Sequence, residues 1–341
     1  MGGDRGLDVT VPAAAEVSLE VECEIVLVGD ERDLRDRLAQ HRHDAKRIRI
    51  EPSEGAIGMG ASPREALAAQ PRASLPVAAR LVARGSAVGG ADALVSAGNT
   101  GAVILACAES FSRMEGVSRS ALAAVVPTER RRGEKEDPFS LLLDCGATVR
   151  VRARDLVTFA LMGASYAAII SKNPRPRVAL LSNGSEPSKG TEEIVEAHKI
   201  LSGLRSIDFI GNVEGVDIPR GTADVVVCDG FTGNVVLKML EGVSETVRDL
   251  ARFAYRSKLA WKLAMMLLAT GLKQIKTLTD WQQYGGAPLL GFDRTCIKAH
   301  GRSGSRALRN AIKVAARCVR QDLAGSIAAS MTELEGRAPS R

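Results

Sequence analysis

The chain has 341 residues, 45% of them hydrophobic and 25% charged, with a formal net charge of +6 at pH 7. This is enough for one large α/β domain with an ample core, and aromatic residues at 4% argue against a nucleic-acid reader built on stacked bases. The modest positive excess fits an anionic substrate, an acidic partner or an anionic membrane surface, and the lack of a legible signal peptide or of an apolar run near the roughly 20 residues of a membrane span leads us to expect a cytoplasmic location.

Residues 1–6 (MGGDRG) read as a glycine-rich polar loop with no strand before it. A strand at 24–28 ends in Gly29-Asp30. A charged helix follows over about 31–40, then a short strand at 47–50 and a loop over 52–62. Ser62-Pro63-Arg64-Glu65 has the form of a helix start, with a capping serine and a proline at the first position. A helix over about 75–84 runs to Gly85. Strand 91–96 leads into Ala97-Gly98-Asn99-Thr100-Gly101 and a helix over 102–110. Strand 122–126 stops at Pro127, and 128–137 is a charged excursion. Strand 141–143 ends in Asp144-Cys145-Gly146-Ala147.

A long apolar helix over about 153–170 is broken by Asn173-Pro174-Arg175-Pro176. Strand 177–181 leads into a polar loop, 182–190, that carries Lys189, and a helix follows over 191–201. A short strand at 208–210 ends in Gly211-Asn212-Val213-Glu214-Gly215. The run 225–228 (VVVC) reads as a strand buried on both faces. Asp229 to Asn234 then reads as a polar turn, with a helix from Val235. A final strand near 296–299 precedes His300-Gly301 and a helix from 305 to about 323.

Strands alternating with helices predict an α/β fold of three layers, α/β/α, with a mostly parallel sheet. One catalytic domain is expected over 1–326, with 327–341 as a frayed tail. Polar glycine loops recur after the predicted strands, where ligands bind in open α/β sheets. Any one of them is ordinary turn chemistry; together they suggest a shared site. Asn99, Asn212 and Asn234 can donate to an oxyanion. Lys189 is a point charge suited to phosphate, and Asp229 and His300 could move protons. There is no P-loop, no dinucleotide fingerprint and no nucleophile elbow. The expectation is an anionic substrate handled without a covalent nucleophile. The six cysteines (Cys23, Cys107, Cys145, Cys228, Cys296, Cys318) are widely spaced and read as buried free thiols of a reducing compartment. His41-x-His43 lies in a charged segment and is not read as a metal site.

A second feature lies within 248–284, an amphipathic helical excursion. Arg248, Arg252 and Arg256 recur every four residues beside Leu250, Phe253, Trp261 and Met265. Such a segment packs on the body or in a dimer interface, or else touches anionic lipid or an acidic carrier protein.

In chain order, MGGD at 1–4, EGAIGMGASPREAL at 54–67, VSAGNTGA at 95–102, LLLDCGA at 141–147, FALMGASYA at 159–167, FIGNVEG at 209–215, DVVVCDGFTGNVVLK at 224–238, YGGAPLLG at 284–291 and AHGRS at 299–303 resemble the PlsX family, the phosphate:acyl-[acyl carrier protein] acyltransferases of bacterial phospholipid synthesis. The resemblance implies attack of inorganic phosphate on the thioester of a long-chain acyl carrier protein, giving acyl phosphate and free carrier. A membrane glycerol-3-phosphate acyltransferase would consume the product. It implies a fold similar to phosphotransacetylases and isocitrate-dehydrogenase-like enzymes, a homodimer, peripheral attachment to an anionic membrane surface through 248–284, no cofactor, no metal and no nucleic-acid partner. Lys189 and Asn234 would be catalytic: Lys189 holding phosphate, Asn234 polarising the thioester carbonyl. Asn99, Asp144, Asn212, Asp229, Lys238 and His300 would bind or orient substrate. The family's strand before MGGD, roughly I-A-x-D-A, is not in this chain, so a missing first strand is expected. Thr148 stands where the family commonly has Asn, and 182–188 departs from its usual N-I-G-E-E pattern. Competing readings are a phosphotransacetylase-like enzyme acting on coenzyme A thioesters and an inactive scaffold that recruits lipid enzymes to the membrane.

Overall fold

The computed structural model describes residues 2–129, 139–171, 173–257, 261, 268 and 285–335. Ten strands alternate with eleven labelled helices among these residues. They run α1 (Leu7–Glu20), β1 (Ile25–Gly29), α2 (Glu31–Leu38), β2 (Ile48–Pro52), α3 (Pro63–Ala69), α4 (Ser74–Arg84), β3 (Ala93–Ser96), α5 (Thr100–Ser110), β4 (Ala121–Pro127) and β5 (Phe139–Leu143). Then come α6 (Ala153–Ile170), β6 (Arg177–Leu181), α7 (Glu192–Leu201), β7 (Asp208–Val213), α8 (Asp217–Arg220), β8 (Val225–Val227), α9 (Gly230–Ser257), β9 (Ala287–Leu290), β10 (Thr295–Lys298), α10 (Ser305–Arg320) and α11 (Leu323–Glu335).

The eight-stranded sheet has the order β3-β10-β9-β4-β5-β8-β6-β7. β5, β8, β6 and β7 form one parallel block, and β3 and β10 another. β9 and β4 join the blocks through antiparallel pairings, which reverse the strand direction between them. β1 and β2 form a separate parallel pair. Among the described residues the outer edge of β3 has no strand partner. Helix α4 packs against both β1 and β3, and α1 and α10 pack against each other beneath β1 and β3. The same helical layers therefore cover both sheets.

Strand alternation divides the core. Val178, Leu180, Leu141, Leu143, Val225 and Val227 face α6, α7, α10 and α11, where Phe159, Leu161 and Met162 are fully buried. Their neighbours Ala179, Leu181, Leu142 and Val226 face the other way, toward Ile218 and α9. Each fully buried Leu, Met or Phe contributes about 1.5–3 kcal/mol. The α/β/α sandwich is thus as expected. Helix α6 is the one described helix long and apolar enough to cross a membrane, and 78% of it is buried inside the fold.

Four local expectations are corrected. Helix α1 occupies residues read only as following a loop; it is buried on several sides and so carries little amphipathic signal. Gly211, Asn212 and Val213 belong to β7, because Asn212 and Val213 register with Leu180 and Leu181 of β6. Helix α9 begins at Gly230, not Val235. The tail read as frayed continues α11 to Glu335, since Ile327 and Met331 are buried in the core. Of the 248–284 excursion, 248–257 continue α9 as a helix; 258–260, 262–267 and 269–284 lie outside the described residues, as does most of the 128–137 excursion.

Candidate active site

The end of β5 sets one wall. Asp144 is fully buried. Its Oδ1 accepts from the N–H groups of Leu122 (2.8 Å), Gly146 (3.1 Å) and Ala147 (3.0 Å). Its Oδ2 accepts from Thr148 N–H (2.6 Å). Burial pushes the carboxyl above its ordinary value, and these N–H groups pull it partly back. Asp144 is therefore the keystone of the 145–148 loop and has little capacity left for a ligand. Thr148 donates its hydroxyl to Ser120 O (2.8 Å), and its carbonyl accepts from Gly230 N–H (2.9 Å). That ties the loop to the start of α9.

Asp229 caps α9. Its Oδ1 accepts from Phe231 and Thr232 N–H, both at 2.9 Å, and its Oδ2 from the Thr232 hydroxyl at 2.6 Å. This cap is why the helix starts in a Gly-Phe-Thr-Gly sequence of low helix propensity. Gly233 lets α9 lie on Asp144; a Cβ there would stand 1.9 Å from Asp144 O. One residue on, Asn234 faces the Gly146 loop, with its side chain 4.0 Å from the position of a Gly146 Cβ. Asn234 is exposed.

The ends of β6 and β7 build the next wall. Asn212 is buried and donates to Glu186 O (2.9 Å), pinning the 182–190 loop, while its Oδ1 is buried without a partner. Lys189 N–H donates to Glu186 O (3.0 Å), and its aliphatic stem packs over Gly184. The side chain of Lys189 is exposed. Because β5, β8 and β6 are consecutive parallel strands, the Asp144, Asp229 and Lys189 loops leave one edge side by side, with strands about 5 Å apart.

Asn99 and His300 follow β3 and β10, which run opposite to that block, so the expectation that all loops share one row of strand ends is corrected. Asn99 caps α5 through Ala102 N–H (3.0 Å) and donates to Met59 O (2.8 Å) and Ala61 O (3.3 Å). Helix α9 links the two groups. Lys238 donates to Glu241 at 2.7 Å, and the Glu241 carboxylate acts on both ends, raising the Cys145 thiol after burial and Asp144, and opposing the burial that lowers the His300 imidazole. Arg302 reaches Glu245 at 3.8 Å. Lys238 and Glu241 lie about 6 and 10 Å along the helix from Asn234.

His300 Nδ1 accepts from Arg302 N–H (3.1 Å), which puts the proton of the neutral ring on Nε2. Burial is the main cause that lowers its pKa; Glu241 opposes this, and Lys238, Lys298 and Arg302 add to it. Lys298, at the end of β10, was not anticipated. It is buried, donates to Ala299 O, and burial pushes it down to about 8 against the pull of Cys296 and Asp4. A lysine closing the apolar run TCIKA was the available signal. Among the described residues no cluster of His, Cys, Asp or Glu could hold a metal ion.

An eight-stranded sheet between helical layers, with the loops after β5, β8 and β6 gathered at one edge, defines a protein of the α/β/α class. A structure of a phosphotransacetylase from Streptococcus pyogenes superposes with a TM-score of 0.63 at 17% identity, covering 93% of this chain and 92% of that one. The Fatty acid synthesis protein family matches residues 1–325. A phosphate acyltransferase from Thermodesulfovibrio yellowstonii is 37% identical over 337 residues, 99% of this chain and 94% of that protein. One from Moorella thermoacetica is 41% identical, over 95% of this chain and 91% of that protein. The chain belongs to this family, the PlsX family of phosphate acyltransferases, and is an acyltransferase.

Proposed function

We propose that the protein transfers the acyl group of a long-chain acyl carrier protein thioester to inorganic phosphate, giving acyl phosphate for phospholipid synthesis and free carrier. One observation carries this. Asp144, Asp229 and Asn99 are taken up in building loops and Asn212 commits its amide N–H to one, whereas Lys189 and Asn234 are exposed at the strand-end loops and the start of α9. A phosphate oxygen attacks the carbonyl carbon, and Asn234 Nδ2 donates to the oxyanion. The C–S bond breaks, and the proton of hydrogen phosphate ends on the carrier thiol. Lys189 neutralises phosphate charge. In this reading His300, whose charged form burial disfavours, carries the proton.

The substrate is a carrier at a membrane in this reading. Phe231, Val235, Met239, Val243 and Val247 recur every four residues on α9 and are exposed, with Leu250 at 63% and Phe253 at 72% continuing the stripe. Arg248, Arg252 and Arg256 flank it. That face suits a second copy of the chain, anionic lipid, or both. Buried free thiols suit a cytoplasmic home.

The test is phosphate-dependent thiol release from acyl carrier protein and acyl-coenzyme A in parallel. Faster turnover of the carrier thioester supports the reading, and turnover of coenzyme A thioesters alone replaces it with a phosphotransacetylase. Lys189→Ala and Asn234→Ala should each lower kcat/KM about a hundredfold or more; near-normal turnover in either would refute the assigned roles. Flotation with anionic vesicles that survives Leu250→Glu with Phe253→Glu would sink the membrane assignment of the stripe.

A further inference from the structure

A basic patch adjoins the start of α9, and the acyl-transfer reading leaves it unused. The loop after Thr148 reads Val149-Arg150-Val151-Arg152-Ala153-Arg154. Its arginines are exposed, and so is Val149, at 62%. Arg119 joins them from the segment before β4. The Ser118 hydroxyl donates to Asp155, and the Thr148 hydroxyl donates to Ser120 O at 2.8 Å. These two bonds bracket Arg119, which is exposed, and lay its segment along the 148–155 loop.

The fold gives these side-chain charges no partner. Among the described residues none of the guanidinium groups of Arg119, Arg150, Arg152 and Arg154 takes part in an ion pair. The acid that follows them, Asp155, is buried and already occupied by the Ser118 hydroxyl and by Arg152 N–H (2.8 Å). Arg150, Arg152 and Arg154 also stand at the N-terminus of α6, an 18-residue helix. The helix dipole makes that end positive, so cations there weaken the fold rather than support it. The exposed acids of the adjoining loops, Glu115 and Asp293, are outnumbered, because Arg113 stands with them, its guanidinium 5.4 Å from the centre of the Phe292 ring. Elsewhere the surface pairs its cations, as in Arg35 with Glu31, Arg49 with Glu24, Arg309 with Glu16 and Lys313 with Glu20.

The position of the patch shows what it can serve. The Thr148 carbonyl accepts from Gly230 N–H (2.9 Å), so the arginine loop leaves from the residue that ties the β5 loop to α9. Asn234 lies one turn further on, about 6 Å along the helix. We propose that Arg119, Arg150, Arg152 and Arg154, with Val149 among them, form the docking surface for an acidic carrier protein that presents its thioester to Asn234. The inference rests on the acyl-transfer reading for its partner. Guanidinium groups pair with surface carboxylates as two-pronged donors, and a cluster of one sign steers an acidic protein to the site. An anionic bilayer offers the same charge, but here a single exposed valine accompanies the arginines, whereas α9 carries the long apolar stripe that a lipid surface needs.

The experiment uses the full chain as wild type, Arg150→Glu, Arg154→Glu and Arg150→Lys. Fluorescence anisotropy reads binding of acyl carrier protein without its prosthetic arm, and thiol release compares the carrier thioester with acyl-pantetheine. Each Glu variant should weaken carrier binding and raise the KM for the carrier thioester about tenfold or more, with kcat and acyl-pantetheine turnover at wild-type levels. Arg150→Lys should keep most of the affinity, and added salt should weaken wild-type binding more steeply than that of the Glu variants. Wild-type carrier affinity and KM in both Glu variants overturn the proposal, as does an equal fall in acyl-pantetheine turnover. Loss of binding to anionic vesicles with carrier binding intact also overturns it and makes the patch a lipid contact. A changed sedimentation mass in the Glu variants overturns it in favour of contact between copies of the chain. Carrier binding that the Glu variants weaken, without turnover of the carrier thioester by the wild type, overturns the acyl-transfer reading alone. Wild-type turnover at an unchanged KM in both Glu variants overturns the docking surface alone, and absence of both binding and turnover in the wild type overturns both.

Discussion

Replacing Asp144 by asparagine tests whether the 145–148 loop is held by one buried carboxylate. The substitution conserves shape but turns one oxygen into an NH2 group. If the amide oxygen keeps the Oδ1 place, Leu122, Gly146 and Ala147 retain an acceptor, and the new NH2 faces Thr148 N–H, which now donates at 2.6 Å. One charge-assisted hydrogen bond is lost, about 1.5–3 kcal/mol, and a buried N–H is left unmet, about 1–3 kcal/mol. Removing a desolvated charge offsets part of this, so the expected loss is about 2–4 kcal/mol. Urea unfolding at pH 7 measures it as a lower midpoint at unchanged slope.

The pH dependence gives a second reading. Burial holds the Asp144 carboxyl above its ordinary 3.8. Between the unfolded value, near 4, and the raised folded value, the native state holds more protons, so this group's contribution to stability falls as pH rises through that window. Asparagine has no such fall, so the deficit of the variant should widen toward acid pH. A midpoint shift equivalent to less than about 0.5 kcal/mol at pH 7 would refute the keystone role.

Lys298→Met should raise stability at pH 7 by up to about 3 kcal/mol. The folded lysine is depressed from 10.5 to about 8, so wild-type stability climbs as pH rises between those values and the advantage of the variant should vanish by the upper one; a pH series of unfolding midpoints checks this. Two glycines of α9 should behave oppositely. Gly233→Ala drives a Cβ to 1.9 Å from Asp144 O and should cost about 3 kcal/mol or more, whereas Gly242→Ala meets nothing within 4 Å and should stabilise by about 0.5–1 kcal/mol in the same assay. With a thiol reagent on native protein, Cys23 alone should react quickly, because the other five cysteines are buried; burial also pushes the Cys145 thiol far up and Cys318 up to about 12.

Much was legible beforehand because burial leaves a strong imprint. Runs such as VVVC at 225–228 and the apolar helix at 153–170 read correctly, since residues buried on both sides must be apolar whatever surrounds them. Weak imprints failed. β9 is four residues with a proline, and it exists because β10 and β4 supply its ladder. α1 is enclosed by α10 and β1, which removes the polar face that marks a surface helix.

For the candidate site, the sequence alone supplied the proposed inventory: Lys189, Asn234, and the polar residues at strand ends. It also determined the family, because the motifs stand in order along the whole chain. Only the tertiary structure decided how those residues are employed. Asp144, Asp229, Asn99 and Asn212 have the same chemistry whether they face a ligand or a backbone, and what separates the two is where neighbouring N–H and C=O groups fall. The reversal of strand direction through β9 and β4, the bridge of α9 between the two ends, and the burial of Lys298 are likewise set by pairing and packing between distant segments, on which no local stretch of sequence reports.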